Sequence, residues 1–143
     1  MLRRLGSESH IVVIDPCPKD YRDLTALAGE HGWSVHFLTS GRAAIQFAPR
    51  GHPALWMINV HLPDMLGFDF LEMLRELAVA ARLFAIADHY DAEDERQACF
   101  RGADLYLCKD ATRSIDCKPI LKSLVTEKRF DSLRKFVDSH AGL

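Results

Sequence analysis

Five short apolar runs set the frame of this chain: Ile11–Ile14, Val35–Leu38, Leu55–Asn59, Leu83–Ala87 and Leu105–Cys108. Apolar runs of roughly 4–8 residues are the signature of strands buried on both faces, because no side of such a strand is free to alternate with polar residues. The stretches between them carry apolar residues at helical spacing instead. Strand and helix therefore alternate along the chain, and that alternation predicts a parallel sheet, wound right-handedly, with helices on both faces.

The punctuation agrees with this division. Tyr21, Leu24, Leu27 and Ala28 mark one face of a first helix that closes near Gly29 and Gly32. Ser40 is a predicted N-cap for a helix with Ala44, Ile45, Phe47 and Ala48, which must stop by Pro49. Gly67 opens a third helix, with Phe68, Leu71, Leu74, Ala78 and Ala81 expected on its buried face. Asp91 caps the fourth, Glu93, Asp94 and Glu95 load its first turn with favourable charge, and Gly102 supplies the left-handed residue at its end. A fifth helical region begins between Thr112 and Pro119 and includes Ile120, Leu121, Leu124 and Val125. The expected class is α/β, a flavodoxin-like doubly wound sheet of five parallel strands in the order 2-1-3-4-5. Residues 1–9 form an expected N-terminal arm and residues 10–127 the domain. Residues 128–143, with Phe130, Leu133, Phe136 and Val137 at helical spacing, form an expected helical extension or linker.

At 143 residues there is room for one domain. With 18 basic against 20 acidic side chains, the net charge of -2 offers no field to draw the whole chain onto phosphate backbones or anionic lipid. Direct nucleic-acid binding is not expected. No signal peptide is legible after Met1, since the apolar stretch ends at Asp15, and no run approaches the roughly 20 apolar residues of a bilayer crossing. A cytoplasmic location is expected. Cys17, Cys99, Cys108 and Cys117 lack C-x-x-C spacing and are expected to be reduced thiols.

In doubly wound sheets the ligand site lies beyond the carboxyl ends of the strands. That rule selects Asp15, Pro16 and Cys17, then Asn59 and His61, then Ala87, Asp88 and His89, and finally Lys109. The segments Ile11-Val-Val-Ile-Asp15, Leu55 to Asn59 with His61-Leu-Pro63 and Gly67, and Gly102-Ala-Asp-Leu-Tyr106-Leu-Cys-Lys109 resemble the receiver domain of bacterial two-component response regulators, CheY-like, from about Ile11 to Val125. The resemblance implies a fold that accepts a phosphoryl group on an aspartate ending strand three, with magnesium held by that aspartate and an acidic pair after strand one. Here the acceptor position is Asn59, the second acid is replaced by Pro16, and the hydroxyl residue usual at the end of strand four is Ala87. Asp110 stands where a proline usually follows the lysine. Asp15, Lys109 and the switch aromatic Tyr106 remain.

A carboxamide oxygen is neutral and poorly nucleophilic, so Asn59 cannot form an acyl phosphate. Magnesium favours carboxylates and phosphate oxygens, and with Asn59 and Pro16 two of the three expected charges are gone. Asn59→Asp alone is therefore expected not to restore phosphorylation. Lys109 is expected to pair with Asp15, the alternative being a solvated lysine.

The leading expectation is a pseudo-receiver: a signalling module outside the phosphorelay chemistry, acting through protein–protein contact, with no cofactor. Its expected surface is helix 4, strand 5 and helix 5, for a protein partner or a homodimer. One alternative is phosphoryl transfer to a substitute aspartate, Asp64 or Asp88; another is a metal-binding sensor or enzyme at Cys17, His61 and His89, near Asp15 and Asp88. A flavin is not expected, because Asp15-Pro-Cys-Pro-Lys19 lacks the donors of a phosphate cradle. Nor does any Ser-His-Asp or paired-carboxylate constellation point to an independent enzyme.

Overall fold

Side chains of successive strand residues point to opposite faces of a sheet, so an unbroken apolar strand needs cover on both sides. The computed structural model, which describes residues 10–48, 52–77, 80–122 and 124, meets that need with one five-stranded parallel sheet. The strands are β1 (His10–Ile14), β2 (Ser34–Leu38), β3 (Leu55–Asn59), β4 (Arg82–Ala87) and β5 (Leu105–Cys108), in the order β2-β1-β3-β4-β5. On one face, Ile11, Val13, Leu55, Met57, Phe84 and Ile86 pack against Tyr21, Leu24 and Ala28 and against Ile115, Ile120, Leu121 and Leu124. On the other, Val12, Ile14, Trp56, Ile58, Leu83 and Ala85 meet Ala44, Phe70, Leu71, Leu74 and Ala98.

The helices are α1 (Leu24–Glu30), α2 (Gly41–Phe47), α3 (Gly67–Glu76) and α4 (Ala92–Phe100), with helical backbone resuming over 118–122 as α5. Helices α1 and α5 cover the first face, and α2, α3 and α4 the second. The predicted caps form: Ser40 Oγ accepts from the Ala43 amide at 3.1 Å, and Asp91 Oδ1 accepts from the Asp94 amide at 3.0 Å. Gly102 has φ +109°, and a Cβ there would strike the Arg75 side chain that lies across it.

One local expectation is corrected. Helix α3 ends at Glu76, so Ala81 belongs to the connection into β4 and packs on the core from there. Ile45 points outward at 44% exposure, because the seven residues of α2 turn only Gly41 and Ala44 fully inward. The N-terminal arm, Pro49, Ala78, Val125 and the stretch from Phe130 to Val137 lie outside the described residues.

Register decides what this scaffold presents. Ile14 pairs with Leu38 and Ile58, Asn59 with Ile86, and Ala87 with Cys108, so the central strands end nearly level. The residues at or just beyond those ends, Asp15, Asn59, Asp88 and Lys109, are delivered to one edge.

Candidate functional site: an ion cluster at the carboxyl edge

Four polar residues are buried among the described residues: Asp15, Asp20, Asn59 and Lys109. All four belong to one cluster. The Lys109 ammonium lies 3.0 Å from Asp15 Oδ2, 2.8 Å from Asp20 Oδ2 and 2.9 Å from Asp88 Oδ1. Asp15 also accepts from the Tyr21 hydroxyl at 2.8 Å, the Asn59 amide at 3.0 Å and the Cys17 backbone N–H at 2.8 Å. Asn59 is fully engaged: its Nδ2 also donates to Asp88 Oδ1 at 3.2 Å, and its Oδ1 accepts from the His61 backbone N–H at 2.9 Å.

Buried charges persist only when paired and hydrogen-bonded, and here each one is. Burial acts to strip the proton from Lys109, but the hydrogen bonds of Asp20, Asp88 and Asp15 outweigh it and raise its pKa. Burial likewise works to raise Asp88, yet the hydrogen bond and charge of Lys109, with the Asn59 amide, hold its carboxyl below the usual range. Tyr21 is pushed well above its ordinary value by burial and then by the Asp15 charge, so it remains a neutral donor.

The expected pairing of Lys109 with Asp15 is present, but in a larger network than the sequence suggested. Asp20 and Tyr21 were missed. They arrive on a 3-10 turn, Pro18–Tyr21, with Pro18 in its first position and the Asp20 amide bonded to the Cys17 carbonyl at 3.1 Å. Pro16 itself is exposed, so the second acid comes from Asp20 one turn later. This corrects the expectation that Pro16 leaves the site short of that charge. A Pro-x-Asp-Tyr segment shortly after a strand-ending acid was the available signal.

The carboxyl edge does not assemble Cys17, His61 and His89 as metal ligands. The His61 ring turns toward α4, 3.1 Å from Asp94 Oδ2, and stacks edge-on against Phe68; His89 is exposed. Among the described residues the one group with metal-ligand spacing is Asp15, Cys17 and Asp20. Magnesium does not fit it well. The Lys109 ammonium already contacts both carboxylates, the thiol is a soft donor, and Asn59 donates an N–H to Asp15.

Asp64 lies at the start of α2, where its carboxylate accepts from the Gly41 and Arg42 amides at 2.8 and 2.9 Å. Those bonds hold its pKa down, and they explain its place in the fold without a phosphoryl group. Ala87 is buried and Asp110 closes a turn by accepting from Thr112 and Ser114. Tyr106 is half-buried, its ring edge-on to Tyr90 at 6.0 Å, its hydroxyl against the Asp91 backbone N–H and C=O at 3.3 and 3.4 Å. Gly67 positions the acceptor strand, since a Cβ there would lie 2.0 Å from the Asn59 carbonyl oxygen.

Residues 11–115 match the family model for the response regulator receiver domain. The chain is 33% identical over 88 residues to the nitrate/nitrite response regulator protein NarL of Escherichia coli, covering 60% of this chain and 38% of NarL. It therefore spans well under half of that relative. It is 34% identical over 106 residues to an uncharacterized 14.6 kDa protein of Leptolyngbya boryana, covering 72% of this chain and 80% of the other. Among solved structures it is similar to the beryllofluoride-activated NtrC4 receiver domain dimer, with TM-score 0.71, 19% identity, and coverage of 82% of this chain and 94% of that one.

Proposed function

The chain belongs to the response regulator receiver domain family, and on that premise we propose that it signals from the cytoplasm without taking up a phosphoryl group. The observation that carries this reading is the Asn59 side chain. At the end of β3 it presents a carboxamide whose nitrogen donates to Asp15 and Asp88 and whose oxygen accepts from His61. It is not a nucleophile, and every polar atom it has is already bonded. The saturated Lys109 network and the missing hydroxyl at Ala87 support the same reading.

Such a module acts through a surface that is competent at all times. Its interaction face is α4, β5 and α5, where Phe100 and Leu105 are exposed, Phe100 at 85%, with exposed Tyr90 in the loop leading into α4. An apolar surface of that kind favours a protein partner. A second copy of the chain is the partner this reading names, which makes the module a homodimer. Sedimentation at micromolar concentration, with and without magnesium and a small phosphodonor, tests it. The expected result is self-association unchanged by the donor. Association that appears only with the donor would overturn the reading.

A further inference from the structure

Asp88 is the most open carboxylate of the cluster, its side chain 37% exposed where those of Asp15 and Asp20 are 0% and 7%. It follows Ala87, the last residue of β4, and opens the loop 88–91 that leads into α4. Its Oδ1 lies 3.2 Å from Asn59 Nδ2 and 2.9 Å from the Lys109 ammonium. A phosphoryl group carried at position 59 would place its oxygens near the terminal atoms of that side chain. They would fall within reach of the only buried cation among the described residues. An anionic oxygen already stands there.

We propose, resting on the reading above, that the Asp88 carboxylate is a resident anion standing in for a transferred phosphoryl oxygen, and that it holds the loop 88–91 and Tyr106 in one arrangement. The connection is short. Three residues after Asp88, the Asp91 backbone N–H donates to the Tyr106 hydroxyl at 3.3 Å and its carbonyl accepts from that hydroxyl at 3.4 Å. Tyr90 packs edge-on against the Tyr106 ring and donates its own hydroxyl to Glu95 at 2.7 Å. The loop is thus tied at one end to Asn59 and Lys109 and at the other to Tyr106 and α4. The depressed pKa of Asp88 is consistent with a carboxylate held as an anion by those same two partners. Arg113, its guanidinium 4.0 Å from Asp88 Oδ2, adds to the positive surroundings from the loop after β5.

The test replaces the chain's three tyrosines with 3-fluorotyrosine and follows the ¹⁹F line of Tyr106, assigned by its loss in Tyr106→Phe. Asp88→Asn keeps the shape and removes the charge; Asp88→Ala removes both. Each is expected to displace the Tyr106 line by more than its width toward the value of the unfolded chain. Glu93→Gln, which removes a charge from exposed α4 without touching the bridge, is expected to leave it in place. Should Asp88→Ala fail to fold, Asp88→Asn decides, with amide dispersion reporting that the fold is intact. An unmoved Tyr106 line in folded Asp88→Asn overturns the proposal. Phosphoryl uptake by the wild-type protein would instead overturn the reading it rests on, and the two failures are read by different experiments.

Discussion

Replacing Lys109 by methionine keeps most of the side-chain volume and removes the one cation that three carboxylates share. The Lys109, Asp15 and Asp20 side chains are 1%, 0% and 7% exposed in their ion pairs, so water cannot take over the ammonium's role without opening the site. Removing one partner of a buried ion pair typically costs about 3–5 kcal/mol, because the orphaned charge stays desolvated. Asp15 keeps bonds from Tyr21, Asn59 and the Cys17 amide, which limits the loss there; Asp20 loses its only side-chain partner among the described residues. We expect Lys109→Met to lose about 3–5 kcal/mol, and roughly 10–15 °C of melting temperature for a domain of this size. Urea unfolding followed by the fluorescence of buried Trp56 measures it. In an Asp20→Asn background the same substitution should cost less, since one orphaned charge has been removed beforehand. A loss below about 1 kcal/mol would refute the argument that the cluster is desolvated and mutually dependent.

Asn59→Asp replaces a donor shared by Asp15 and Asp88 with a further negative charge, and is expected to lower stability by at least about 1–3 kcal/mol in urea melts at neutral pH. It is also expected to remain unlabelled by phosphodonor and magnesium, because Asp88 still holds Lys109. His10 Nδ1 and His36 Nε2 lie 3.2 Å apart across β1 and β2, and burial together with the His36 charge lowers the His10 pKa. The unfolded chain then binds more protons than the folded one as pH falls below the ordinary histidine range, so stability should drop on acidification there. His36→Gln should flatten that dependence in melting temperature against pH. Burial pushes Cys117 up to about 11, so a disulfide reagent at neutral pH should modify exposed Cys99 first and Cys117 last, as peptide mass mapping would read.

Much of the fold was legible because strands buried on two faces must be apolar throughout, and the five runs match the five strands to within one residue at each end. The caps at Ser40 and Asp91 were legible for a similar reason: a helix start needs an acceptor for its free amides. The site was legible only where residues end a strand, as Asn59 does, or follow one directly, as Asp15, Asp88 and Lys109 do. Asp20 reaches the cluster through a tight turn whose direction depends on backbone angles after Pro16 and Pro18, which spacing alone does not encode. His61 misled for the opposite reason. Its backbone is in the site, bonded to Asn59, while its ring is drawn away by Phe68 and by Asp94, the latter 33 residues distant in sequence.

Intact mass of the wild-type protein after incubation with magnesium and a small phosphodonor bears most directly on whether this receiver works without phosphate. The expected spectrum is that of the unmodified chain, with no phosphoryl adduct above background. A stoichiometric gain of one phosphoryl group, stable to acid and labile to base as an acyl phosphate is, would contradict the account.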